Sequence, residues 1–134
     1  MAVFTANAQT LAANEVVLFN NTTCKCNANI KHNSGNGVFS LRGSGNCCNP
    51  ARYRVAFHGV FTTTGTDPIR LALVVDGEYA PADIISTPPV AAGTVLDGTI
   101  ITEIVVNCCC AKVAVRALSA VPLTAGRIII DRIA

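Results

Sequence analysis

The residues of this chain with the greatest capacity for chemistry are its seven cysteines, which fall in three clusters: Cys24 and Cys26, Cys47 and Cys48, and Cys108, Cys109 and Cys110. Structural zinc usually needs a C-x2-C knuckle so that two thiolates converge on one ion. The spacings here are C-x-C, C-C and C-C-C. On a strand, alternation sends Cys24 and Cys26 to one face and Cys108 and Cys110 to one face, with Cys109 pointing the other way. Three readings follow: disulfide or surface-thiol chemistry, small inert core residues, or a metal site. The first makes Cys24, Cys26, Cys47, Cys48, Cys108 and Cys110 the disulfide candidates and leaves Cys109 as a buried core residue. An odd count does not form a closed set of bridges within one chain, so one thiol stays reduced or pairs between chains.

Other catalytic constellations are weaker. The two histidines are His32, beside a loop, and His58, on the polar face of an expected strand; neither accompanies a recognisable nucleophile motif. Asp76 and Glu78 flank Gly77, but a calcium loop needs more oxygen ligands at closer spacing, and Asp-Gly by itself encodes a tight turn. The glycine-rich stretch GNGVFSLRGSG lacks the lysine and following helix of a phosphate loop. No catalytic residue, cofactor or metal is expected, and the chain does not read as an enzyme.

The elements that must carry these residues are strands. Apolar, β-branched residues recur at period two and are separated by turn-forming runs at 32–37, 43–50, 63–68 and 87–93. Strands are expected at 3–5, 15–19, 22–32, 38–42, 52–61, 69–75, 98–107, 109–118 and 127–133. The clearest, 52–61, sends Tyr53, Val55, Phe57, Gly59 and Phe61 to one face and Arg52, Arg54, Ala56 and His58 to the other. The following strand points Ile69, Leu71, Leu73 and Val75 inward. Eight to ten short antiparallel strands in residues 1–134 specify one all-β sandwich or barrel, and the length suits a single core.

The chain of 134 residues is 51% hydrophobic and 13% charged. That is too little charge for a solitary soluble domain to clothe itself, so apolar surface is expected to be covered by other subunits. Membrane is not expected: the longest apolar run, 71–75, is far below the ~20 residues a spanning helix needs, and the start of the chain shows no secretory signal. Nucleic acid is not expected either, because the net charge is +2, the ten Lys and Arg are scattered, and aromatic residues are few. Val74 and Ile129 interrupt the polar sides of their strands, and they are the candidates for a subunit interface.

The strings ARYRVAFHGVF, IRLALVVDGEYAP, CCCAKVAVRAL and RIIIDRIA occur in that order. Together with the opening AVFTA, they resemble a group of small uncharacterised proteins of anaerobic Gram-positive gut bacteria and their phages. The resemblance runs over nearly the whole chain. It implies a TNF/C1q-like jelly-roll sandwich, a fold that commonly forms compact trimers, and it carries over no catalytic residues. Similar jelly rolls serve as phage head fibres, capsid decoration proteins and surface-layer tips. The expected function is a structural assembly protein, a homotrimeric virion component on the virion surface, seated on a major capsid or other surface-lattice protein. The alternatives are a bacterial cell-surface or spore-surface fibre or coat protein crosslinked by cysteines, and a receptor- or glycan-binding module.

Overall fold

A computed structural model describes residues 1–25, 29–33, 35–44, 49–107 and 110–133. Eleven strands are described: β1 (Ala2–Ala6), β2 (Gln9–Leu11), β3 (Asn21–Lys25), β4 (Ile30–Lys31), β5 (Phe39–Arg42), β6 (Ala51–Thr62), β7 (Arg70–Val75), β8 (Ile84–Ser86), β9 (Val95–Val106), β10 (Cys110–Ala117) and β11 (Val121–Arg132). They form two sheets. The first runs β3-β1-β11-β6-β9, with β2 also pairing β11, and the second runs β4-β5-β10-β7-β8. Every pairing is antiparallel.

The two-residue period decides what the sheets bury. In β6, Tyr53, Val55, Phe57 and Phe61 are fully buried, and from the second sheet Phe39, Leu41, Leu71, Leu73, Val113 and Val115 meet them. This agrees with the expected inward set. One inward row is unusually small: Ala6, Gly126, Gly59 and Gly98 lie side by side across β1, β11, β6 and β9. The missing side chains leave room for large ones from elsewhere. A Cβ on Gly59 would stand 2.8 Å from the Phe61 ring, and one on Gly98 would stand 2.5 Å from Ile85 of β8. Gly98 therefore lets β8 of the second sheet close down on the first, while Gly59 and Gly126 make room for the Phe57 and Phe61 rings of β6.

A second pin is polar. The Tyr53 hydroxyl on β6 donates to the Arg42 carbonyl on β5, which ties one sheet to the other. Burial pushes the Tyr53 phenol above its ordinary value, while the positive charges of nearby Arg132 and Arg42 pull the other way. At the far side of the core, the His32 ring stacks on Phe39 at 4.3 Å and meets Phe4 edge-on at 4.9 Å. Its Nε2 lies 2.7 Å from the Asn36 carbonyl and so acts as the donor.

Several expected boundaries change. Residues 15–19 form no regular strand; Val16 bridges Arg116 and Phe19 bridges Asn36. The expected strand 22–32 divides into β3 and β4, which belong to different sheets. β2 and β8 are additional, and β11 starts at Val121, with a register shift between Leu123 and Ala125. The Asp76-Gly77 turn forms as expected: φ is 51° and 87° at the two residues, and Val75 and Glu78 exchange backbone hydrogen bonds.

Candidate assembly surface

The outer face of the first sheet carries the arrangement most in need of a function. Directly paired residues share a face, and the register places Val3, Ile129, Ala56 and Ile101 side by side across β1, β11, β6 and β9. All four are apolar. Val3, Ile129 and Ala56 are half-buried, and Ile101 is 66% exposed. At a strand spacing of ~4.8 Å, this row is roughly 14 Å long.

Polar rows border it on both sides. One is Thr5, Arg127, His58 and Thr99; the other is Asp131, Arg54 and Glu103. Ion pairs frame the second, Arg52 to Glu103 at 3.3 Å and the amino terminus to Asp131 at 3.5 Å. An apolar centre with a charged rim is the plan of a protein-protein contact rather than of a monomer surface. Strand β9 ends the sheet and adds Val95 and Val105 on the same face, at 66% and 49% exposure.

Ile129 thus belongs to an apolar row on the outer face of the first sheet. Val74 needs a correction. It lies on the outer face of the second sheet, opposite Ala114, but it is only 6% exposed in the single chain. Its off-pattern position therefore does not leave it exposed, because it forms the floor of a hollow with Val16, Val38, Lys112 and Arg116 around it.

Ile101, Val95 and Val105 are the surface residues that the sequence reading missed. The signal was present as the doublets Ile100-Ile101 and Val105-Val106. In a strand, one member of an apolar doublet must point out. Here Ile100 and Val106 are buried while Ile101 and Val105 are exposed.

The catalytic reading of His58 can be tested on the same face. Its Nδ1 lies 2.9 Å from Thr99 Oγ1, and its Nε2 lies 3.8 Å from Asp97 Oδ2. Hydroxyl, imidazole and carboxylate are therefore adjacent, yet they lie on an open sheet: His58 and Asp97 side chains are 47% and 72% exposed. Open to water on this face, the trio forms a cross-strand polar cluster.

Among the cysteines, Cys24 pairs with Val3 on the first sheet, and Cys110 pairs with Arg42 on the second and is exposed. Cys26, Cys47, Cys48, Cys108 and Cys109 lie outside the described residues. The described residues around them converge, however. Asn29 O accepts from Arg42 N at 2.8 Å, Ser44 Oγ donates to Asn49 O at 2.6 Å, Ala51 pairs with Val106, and Lys25 pairs with Ala2. The chain ends that lead into all three cysteine-bearing segments therefore sit at one pole of the sandwich. Among the described residues, no three of His, Cys, Asp and Glu gather as a metal-ligand set, and no helix is long and apolar enough to cross a membrane.

No protein-family profile matches the chain, and no curated protein matches it. Solved structures do. The globular domain of zebrafish complement 1qA protein superposes with a TM-score of 0.65 at 16% identity, covering 99% of this chain and 96% of that one. The PRD1 vertex protein P5 superposes with a TM-score of 0.60 at 18% identity, over 99% and 96% of the two chains. The fold is a C1q-like jelly roll. At these identities the likeness concerns the arrangement of strands alone.

Proposed function

We propose that this jelly roll is a structural assembly protein, a homotrimeric component of a virion surface that decorates a capsid or tips a head fibre on a surface-lattice partner. The observation that carries the reading is the apolar row Val3–Ile129–Ala56–Ile101 between two polar rows. Covering it removes exposed aliphatic surface at ~25 cal/mol per Å², and the flanking charges fix the register of the contact. The low charge content of the chain supports the same conclusion, and the fold shared with a vertex protein supports a place on a virion.

Sedimentation of the purified chain at micromolar concentration is the test, with three times the chain mass of 13.9 kDa expected. Ile101→Lys, and separately Ile129→Lys, should convert the trimer to monomers that still melt cooperatively, since a lysine at a half-open position keeps its ammonium in water. A wild-type monomer under these conditions would overturn the assembly reading. Cryo-EM of native particles then tests the virion seat.

The convergence on one pole of the described residues that flank the cysteine clusters favours a second reading, a bacterial cell-surface or spore-surface coat protein held by disulfides between clusters or between subunits. Neighbouring genes discriminate between the two, capsid and portal genes for the first and sporulation genes for the second.

A further inference from the structure

The outer face of the second sheet carries a hollow of about 460 Å³, away from the apolar row, lined by Val16, Val38, Val74, Ala114, Lys112 and Arg116 among others. Its volume lies in the range of small-molecule sites, ~300–1,000 Å³. Its floor is aliphatic because the outward positions of β7 and β10, Val74 and Ala114, pair directly there, while Val16 and Val38 close the side. Lys112 and Arg116 are outward residues four apart on β10, so their Cα atoms stand ~13 Å apart, one at each end.

Among the described residues, these two cations have no ion-pair partner. Arg116 is half-buried, and its Nε is shut away from solvent without a hydrogen-bond acceptor. Its guanidinium lies 5.6 Å from the centre of the Tyr79 ring, which holds the group in place but supplies no negative charge. Asp76, the acid that lines the hollow, uses Oδ1 to accept the Lys112 backbone N–H at 2.9 Å. A cation held partly out of water without an anion is an unbalanced cost to the fold. An anion arriving with its own apolar portion would offset that cost and cover the valines together.

We infer that this hollow is a binding site for an aliphatic carboxylate, whose carboxylate accepts from the Nη end of Arg116 and whose hydrocarbon lies over Val74, Val16 and Val38 towards Lys112. The site takes the same chemistry from a free medium-chain acid or from an acidic, aliphatic segment of a partner protein. It is independent of the assembly reading, which uses the other sheet.

Isothermal titration of the full chain with octanoate, octanol and octylammonium is the test. Octanoate should bind saturably at one site per chain, at least tenfold more tightly than octanol, with octylammonium not binding. Arg116→Met, which keeps a long aliphatic side chain and removes the charge, should abolish the preference of octanoate over octanol. Lys112→Met should weaken octanoate binding by a few-fold. Should Arg116→Met not fold, the three-probe comparison on the unaltered chain still decides. Equal binding of octanoate and octanol, or no saturable binding of octanoate, would overturn the inference. If the site holds, competition by octanoate against a blocked Glu-Leu-Val-Leu peptide separates the two sources: a peptide that binds and is displaced identifies a partner segment, and one that does not bind identifies the free acid.

Discussion

Replacing Gly98 with alanine tests the packing that closes the two sheets. The added Cβ would stand 2.5 Å from Ile85 Cγ2, about 1 Å inside the ~3.5–4.0 Å of normal carbon contact. Ile85 is buried on β8 and belongs to the core, so it cannot simply swing into solvent. Overpacking of this kind costs ~1–3 kcal/mol. Gly98 is not among the residues with positive φ, so alanine is compatible with its backbone and recovers ~0.4–1 kcal/mol through the unfolded chain. A net loss of ~1–2 kcal/mol is expected. Ile85→Ala alone should cost ~2–5 kcal/mol through lost burial and a cavity. The double variant is decisive, because the space vacated by Ile85 accepts the new methyl group. Urea unfolding of all four proteins should give a coupling of ~1–3 kcal/mol, the double variant being more stable than the sum of the single losses. Additive losses would mean that Gly98 is not placed against Ile85 and does not set the approach of β8 to the first sheet.

Phe57→Ala should destabilise the fold by ~3–5 kcal/mol, since its ring is fully buried and meets Phe19 edge-on at 6.3 Å; a loss below ~0.5 kcal/mol in urea would mean that β6 is read one residue out of register. Tyr53→Phe leaves the Arg42 carbonyl without its donor and should cost ~1–2 kcal/mol at neutral pH. The Tyr53 phenol is raised in the folded state above its ordinary value of 10.0, so its contribution is fully present below pH 10 and is lost as pH rises through the higher folded value. Melts at rising alkaline pH should therefore fall more steeply for wild type than for Tyr53→Phe, and parallel curves would refute the burial argument. For the cysteines, alkylation followed by non-reducing peptide mapping of the assembled protein should find at least one disulfide joining different clusters or different subunits, each worth ~2–4 kcal/mol. Seven alkylated cysteines, or a bound metal ion, would remove the crosslinking proposal.

Much of this molecule was legible in the sequence because strand alternation is a local property. The inward faces of β6 and β7 and the Asp76-Gly77 turn follow from residue type and period alone. What failed locally did so for identifiable reasons. Pro122 near the start of β11 speaks against a central strand, and a register shift interrupts the alternation just after it. β8 is three residues long between Pro81 and Pro88, too short for a period to register. The single apolar residues Ile129 and Val74 looked equivalent in the sequence, and only tertiary structure separated them. Pairing four strands in register turned Ile129 into part of a row, whereas Val74 sank into a hollow between cations. Nor does any local pattern bring the flanks of the three cysteine clusters to one pole, or set Gly126, Gly59 and Gly98 side by side. Those placements depend on which strand neighbours which, and that order is fixed by the simultaneous burial of two whole sheet faces rather than by any one segment.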